Sequence, residues 1–409
     1  MPTPVFHHAL SLGLAATFMA PPLLATFDHN ADGISDVWAL FHPAAGTSEA
    51  DPDGDGADNH AEALAGTDPA AASSHLVAEP LSDASGNLVL RWPGVAGKQY
   101  HIEVSADLQH WDALPPVFSG KDNGYSTIVR PTGSPTPTRQ FWRVSVLDID
   151  SDGDGFNDWE ERQLGTNPDL STSTPPVATE FGRGDWTDTA VLHEGPPTDC
   201  YIGCWTHVVA PVGAGQKGND YPFVIECSES VAGEPQLNIL VSGNMGYDLG
   251  AGSWYYNQNI MTNTGDHVTW YAHGDEAAFR GWVYNAWHFQ RIGANTKATQ
   301  FLKVGIDGPM EITSQEILPN ETCTPSAVHV GGGPRCSGNV YLQYAKIYTM
   351  TTAPSVAQAE AIALRRIPDP TAWADWPLLG GAVSDTSGHG RHLTVEGSVA
   401  PGILGPLLP

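Results

Sequence analysis

Asp51-Pro52-Asp53-Gly54-Asp55-Gly56-Ala57-Asp58-Asn59-His60-Ala61-Glu62 decides how this chain is read, because a near copy returns as Asp150-Ser151-Asp152-Gly153-Asp154-Gly155-Phe156-Asn157-Asp158-Trp159-Glu160-Glu161. In both, oxygen-bearing side chains fall at the first, third, fifth, ninth and twelfth places, with glycine at the sixth. A hard cation that must be wrapped by many oxygens requires this spacing, so both stretches read as calcium loops. The expected ligands are Asp51, Asp53, Asp55, Asn59 and Glu62 in one, and Asp150, Asp152, Asp154, Asp158 and Glu161 in the other. Ala57 and Phe156 would each add a backbone carbonyl after the sharp turn that glycine permits.

Each loop should order a short helix, Asn59 to Leu64 and Asp158 to Leu164, stopped by Gly66 then Pro69 and by Gly165 then Pro168. The twelfth-place acid would sit on the first turn, where the helix dipole favours a carboxylate. A third copy, Asp28-His29-Asn30-Ala31-Asp32-Gly33-Ile34-Ser35-Asp36, offers Asp28, Asn30, Asp32 and Asp36, but its twelfth place is Ala39. It is expected to bind loosely or to borrow an oxygen from its neighbour. The competing reading of all three is an acidic, solvated, turn-rich linker. The runs "DPDGDGADNHAEALAGTDP" and "DIDSDGDGFNDWEERQLGTNP" resemble thrombospondin type 3 calcium repeats of the bacterial extracellular kind, themselves similar to dockerin and EF-hand loops. The resemblance covers about residues 28–69 and 148–168 and implies structural calcium that stiffens a spacer, with no implied catalysis.

A chain of 409 residues is long enough for several cores. Its net charge of −28, with only 18 Lys and Arg, excludes a nucleic-acid partner, which needs basic footprints to displace counterions. No Lys or Arg lies between Asp28 and Asp68, so that segment should repel itself without bound cation. The 44 Gly and 33 Pro, with few long helical periodicities, predict a mainly β, multidomain protein. The expected parts are calcium loop-helix repeats at 26–70 and 148–170, a small β-sandwich at 76–147, a larger jelly-roll β-sandwich at 177–367, and C-terminal strands or tail at 368–409. Residues 1–25 contain an apolar run that fits a cleaved secretory signal, although it lacks a preceding basic residue; a misassigned start or a short buried segment are the alternatives. No later stretch is apolar enough to span a membrane.

Within 76–147, "RWPGVAGKQYHIEVSADLQHW" and "FWRVSVLD" alternate with period two and are similar to fibronectin type III-like modules. Further on, "AWHFQRIGANTKATQFLKVGIDG" and "VYLQYAKIYTMTTAPSVAQAEAIA" resemble the laminin G-like or concanavalin A-like jelly roll. That resemblance implies a central hairpin, then a late strand followed by a short helix packed beneath the sandwich. "WADWPLLGGAVSDTSGHGRHLTVEGS" resembles opening strands of such a fold and is expected to add strands to the preceding sandwich, since a lone hairpin is marginal.

All five cysteines lie between residues 200 and 336, consistent with an oxidising compartment. Cys323 and Cys336 flank a glycine-rich segment and are paired as a hairpin clasp, while Cys200 or Cys204 would bridge to Cys227. A zinc site from Cys200, Cys204, His207 and Cys227 is the alternative. No Glu-x-Asp-x-Glu strand, Gly-x-Ser-x-Gly elbow or His-Glu-x-x-His helix occurs, and His389 with His392 reads as a turn, so catalysis is not expected. For ligand binding the consecutive Trp254, Tyr255 and Tyr256, with Asn257, are the candidate: rings stack on sugar faces while amides bond hydroxyls. The resulting expectation is a secreted or cell-surface calcium protein whose jelly roll binds carbohydrate or an extracellular surface protein in adhesion. Self-assembly into a calcium-stiffened surface layer or fibre is the structural alternative, and a polysaccharide-active enzyme the second.

Overall fold

In this computed structural model, residues 26–120, 124–130, 140–181, 189–208, 217–227, 238–248, 253–262, 265–274, 281–318, 324–331 and 340–408 are described. The expected leader at 1–25 lies outside them. Alternating apolar residues and glycine-rich turns give strands that pair antiparallel throughout the described residues, confirming a mainly β chain. It divides into two compact units, residues 1–175 and 176–409.

In the first unit, two short helices, α1 (Asp36–Phe41) and α2 (Asn59–Ala65), precede six strands and a third helix follows them. The strands β1 (Glu79–Ser82), β2 (Leu88–Trp92) and β5 (Tyr125–Arg130) form one sheet, ordered β1-β2-β5. The strands β3 (Lys98–Ser105), β4 (Asp112–Ser119) and β6 (Phe141–Asp148) form the other, ordered β4-β3-β6. Between them Leu90, Trp92, Tyr100, Ile102 and Val146 are buried, and Ala65 of α2 joins the same cluster. The closing helix α3 (Asp158–Leu164) starts from an Asn157 capping box with Glu160.

Loops and sandwich were expected as modules strung along a spacer; they fold instead into one unit, and buried polar ties are the reason. Glu160 accepts hydrogen bonds from Phe27 N at 3.0 Å and Ser35 Oγ at 2.5 Å, tying α3 to the first loop. Trp38 Nε1 donates to Thr67 O at 3.0 Å, tying α1 to α2. Phe156 stacks on Phe27 with ring centroids 4.9 Å apart.

In the second unit, an eight-stranded sheet is ordered β16-β15-β14-β9-β18-β7-β21 along its main path. Its members are β7 (Val177–Phe181), β9 (Cys200–Val208), β14 (Gly281–Ile292), β15 (Asn295–Val304), β16 (Met310–Leu318), β18 (Val340–Thr349) and β21 (Val399–Leu404), with β19 (Ala374–Trp376) paired to β18. Facing it, a seven-stranded sheet is ordered β13-β12-β11-β10-β17-β8-β20. It comprises β8 (Thr189–Leu192), β10 (Lys217–Cys227), β11 (Asn238–Asp248), β12 (Ser253–Thr262), β13 (Gly265–Gly274), β17 (Pro325–Val330) and β20 (Thr394–Glu396). Period-two alternation along β9 sends Cys200, Ile202 and Cys204 into the core between the sheets. Tyr201 and Trp205 point to the opposite face. There the helix α4 (Val356–Ala363), started by a Ser355 capping box, buries Ala359 and Ala363 and accepts Trp205 Nε1 at Ala363 O, 2.8 Å. Residues 374–404 add β19, β20 and β21 to both sheets.

Cys200 and Cys204 stand as buried thiols, so the expected bridge from one of them to Cys227 is not formed. Both sit among apolar core side chains, and burial pushes the Cys200 thiol up to about 12. The zinc alternative also fails on these residues, because Cys204 faces the core whereas His207 turns to the other face, packed edge-on against Trp282 and Tyr341. Cys323 and Cys336 lie outside the described residues, as does the side chain of Cys227.

Ala31, at the fourth place of the first loop, holds φ of 56°, where the other two loops have Gly54 and Gly153 at 75° and 79°. A Cβ is strained there. Ala31→Gly is therefore expected to stabilise the first unit by about 0.5–1 kcal/mol, read as a higher denaturant midpoint at unchanged slope; no gain would contradict the strain.

Candidate metal centre

All three loops close by the same backbone bond: the ninth-place N–H donates to the carbonyl just before the first place. The pairs are Asp36 N to Phe27 O and Asn59 N to Ala50 O at 2.8 Å, and Asp158 N to Ile149 O at 2.7 Å. Glycine at the sixth place has φ of 85°, 95° and 102° at Gly33, Gly56 and Gly155. Such values are open to glycine and strained for most other residues.

Inside this frame the two longer loops are built alike, atom for atom. Asp51 accepts from Gly54 N at 2.8 Å and Gly56 N at 3.0 Å; Asp150 accepts from Gly153 N at 2.7 Å and Gly155 N at 3.1 Å. Asp53 and Asp152 each receive the N–H two residues on, at 3.1 Å, through Oδ1. Asp55 Oδ1 receives Ala57 N at 2.8 Å and Asp154 Oδ1 receives Phe156 N at 3.0 Å. Glu62 Oε1 and Glu161 Oε1 each take a hydroxyl hydrogen at 3.2 Å, from Thr67 and Thr166.

Both oxygens of Asp51 and Asp150, and one oxygen of each of the other acids, are thus spent on holding the loop. The second oxygen, Oδ2 of Asp53, Asp55, Asp152 and Asp154 and Oε2 of Glu62 and Glu161, is buried and accepts no hydrogen bond. His75 Nδ1 lies 3.0 Å from Asp55 Oδ2, but its other close contact, the Ala72 carbonyl at 2.9 Å, is where a hydrogen on that nitrogen is directed. Buried anionic oxygens left bare are costly, and a cation among them removes the cost. The ligand atoms of Asp51, Asp53 and Asp55 lie within 4.8 Å of one another, as do those of Asp150, Asp152 and Asp154, so each group could hold a metal ion. Burial pushes Glu62 and Glu161 up to about 7, and burial raises Asp154 as well. An incoming ion therefore displaces protons at neutral pH.

The ninth-place acids do other work than the ligation expected of them, whereas Asn59 Oδ1 is buried and accepts no hydrogen bond. Asp158 accepts from Ser151 N and Ser151 Oγ, both at 2.9 Å, and Asp36 accepts from His29 N at 2.9 Å. In the second loop the equivalent donor is missing because Pro52 has no N–H. Asn59 stands there instead and donates to Ala45 O at 2.8 Å and Thr47 O at 2.7 Å.

The first loop departs further. Asn30 Nδ2 donates to Asp32 Oδ2 at 3.0 Å, so an amide occupies the space between the third and fifth places. Asp28 is spent on Asp32 N and Gly33 N, and no oxygen of Asp28, Asn30, Asp32 or Asp36 is buried without a partner. With Ala39 at its twelfth place, this loop lacks the cradle its copies have. Two calcium ions per chain are accordingly expected by titration or elemental analysis, with the count unchanged in Asn30→Ala. A count of three in the native chain, falling to two in that variant, would restore the first loop as a site.

Sequence reasoning missed Thr67 and Thr166, which orient the glutamates, and Glu160, which burial pushes up to about 7. The repeated "GT" after each helix was the available signal for the threonines. Trp254, Tyr255, Tyr256 and Asn257 lie on β12, second from the edge of the seven-stranded sheet, and their side chains are outside the described residues. On β14 of the eight-stranded sheet, Tyr284 and Trp287 are buried, and Trp282 Nε1 donates to Leu404 O at 3.1 Å. Among the described residues no helix is long and apolar enough to cross a membrane.

No curated protein sequence matches the chain. Among solved structures, full-length tailspike protein 2 from Escherichia coli O157:H7 bacteriophage CAB120 is similar with a TM-score of 0.31 and 10% identity, over 50% of this chain and 28% of that one. A GH43 glycoside hydrolase with an engineered active site gives a TM-score of 0.26 and 9% identity, over 68% of this chain and 54% of that one. The chain spans less than two thirds of either. The Bacterial TSP3 repeat family matches residues 51–72 and 150–168, the two stretches that carry the paired cradles.

Proposed function

We propose that this is a secreted or cell-surface calcium-binding protein whose jelly roll binds carbohydrate or an extracellular surface protein, in adhesion rather than catalysis. The observation that carries the calcium part is the duplicated set of buried, bare carboxylate oxygens at the third, fifth and twelfth places of two loops. Hard oxygen donors in that number suit calcium better than a softer metal. The match to a bacterial TSP3 family and the net charge of −28 support an extracellular setting. On this reading the small sandwich is fibronectin type III-like and the larger one laminin G-like; the late strand β18 followed by α4 supports the latter.

The ligand site of this reading is the Trp254 to Asn257 segment. Binding of the intact chain to a glycan array is expected, with Trp254→Ala lowering it at least tenfold at unchanged circular dichroism. Absence of binding together with calcium-dependent self-assembly would replace recognition by a structural role. Hydrolysis of a polysaccharide would overturn the non-enzymatic reading.

A further inference from the structure

The glutamates of the two bare-oxygen cradles sit on helices that share one wedge, the turn Val95–Lys98 between β2 and β3. Lys98 is only 1% exposed. Its ammonium donates to Ala63 O of α2 at 3.3 Å, pairs with Asp148 just ahead of the third loop, and stands 4.9 Å from the ring centroid of Trp159 in α3. Ala63 directly follows Glu62, and Trp159 precedes Glu161 by two residues, so the lysine grips both helices beside their cradle glutamates. The backbone leaves no slack around it. A Cβ on Gly97 would fall 2.5 Å from Trp159 N, and one on Gly66, the C-cap of α2, 2.9 Å from Trp159 Nε1. Close-packed contacts of this kind transmit a shift of one helix to the other.

We propose that the two loops load their ions as a coupled pair, with Lys98 as the positioning residue between them. The proposal rests on the calcium reading of the loops. Loading one loop fixes its helix, and the fixed helix holds Lys98 and Trp159. The second helix is then ordered before its own ion arrives, and that ion binds at a smaller cost in entropy.

Calorimetric calcium titration of the full chain tests this with single-loop variants, Asp55→Asn and Asp154→Asn. Each is expected to weaken the surviving loop by about fivefold or more relative to the native chain, the lower bound of typical coupling between sites. In the background Lys98→Met with Asp148→Asn, which removes both charges so that neither is left buried alone, two ions should still bind but the cross-effect should vanish. Trp159→Leu, which keeps an apolar side chain on α3, should decouple the loops in the same way if the charge-free pair folds poorly. A surviving loop whose affinity stays within about twofold would overturn the coupling, as would full coupling in both decoupling backgrounds. If the native chain takes up no calcium, the calcium reading itself falls, which is distinct from two ions binding independently.

Discussion

Chelation of calcium is expected to lower the melting midpoint of the first unit by about 10–20 °C while the second unit melts unchanged. Each ion held at about a hundredfold above its Kd contributes about 2.7 kcal/mol, so two contribute about 5 kcal/mol. For a unit of this size each kcal/mol moves the midpoint by about 2–4 °C. Six buried carboxylate oxygens without partners explain why the loss should be cooperative rather than confined to the loops. The helices that carry the glutamates are built into the unit: Ala65 of α2 is part of the sandwich core, and Trp159 of α3 lies against Lys98. Asp55→Ala and Asp154→Ala should each remove a large share of the effect. A melt indifferent to chelator would refute calcium as part of this fold.

In the second unit the largest effect is expected from Lys346→Ala, a loss of about 3–5 kcal/mol. Lys346 and Asp375 are 1% and 0% exposed, with Nζ 3.0 Å from Oδ2. Burial lowers the lysine and raises the aspartate, each held charged by the other. Asp375 Oδ2 also accepts Asp369 N at 2.9 Å, but Oδ1 has no partner. Without the ammonium a nearly dry carboxylate is left behind, and must be protonated or drag the β18–β19 pairing open. Lys346→Met combined with Asp375→Leu should recover most of the loss, since a buried ion pair contributes little over a well-packed apolar one. Chemical denaturation followed by tryptophan fluorescence reads both, and a loss under about 1 kcal/mol in the single variant would show that the pair is relaxed by water.

The loops were legible because ion ligation imposes a spacing, and spacing survives in a single sequence. The bare carboxylate oxygens fall at the third, fifth and twelfth places of both loops, and Asn59 Oδ1 adds a bare amide oxygen at the ninth place of one of them. The ninth place misled because an acid there fits ligation and loop closure equally. Only the swap of Asp for Asn opposite Pro52 betrays the closure, and it takes the hydrogen bonds to Ser151 and His29 to see it. The fusion of loops with sandwich was hidden for another reason. Lys98, Asp148 and Trp159 look like ordinary residues at strand and helix ends, and burial of a lysine is a property of the assembled packing. Cys200 and Cys204 were misjudged from compartment, whereas strand alternation, also in the sequence, puts both in the core.

The second unit opens and closes at one place. Val177 of β7 pairs with Leu404 of β21, and Gly405 N donates to Pro176 O at 2.6 Å. Tension applied between residues 176 and 405 would pull two antiparallel neighbours apart from their shared end. Their hydrogen bonds would be loaded one after another, as in a zipper, instead of sharing the force as strands drawn lengthwise past each other do. A pull that enters at residue 176 and leaves at residue 405 is therefore expected to open the sandwich at low force, strand pair by strand pair.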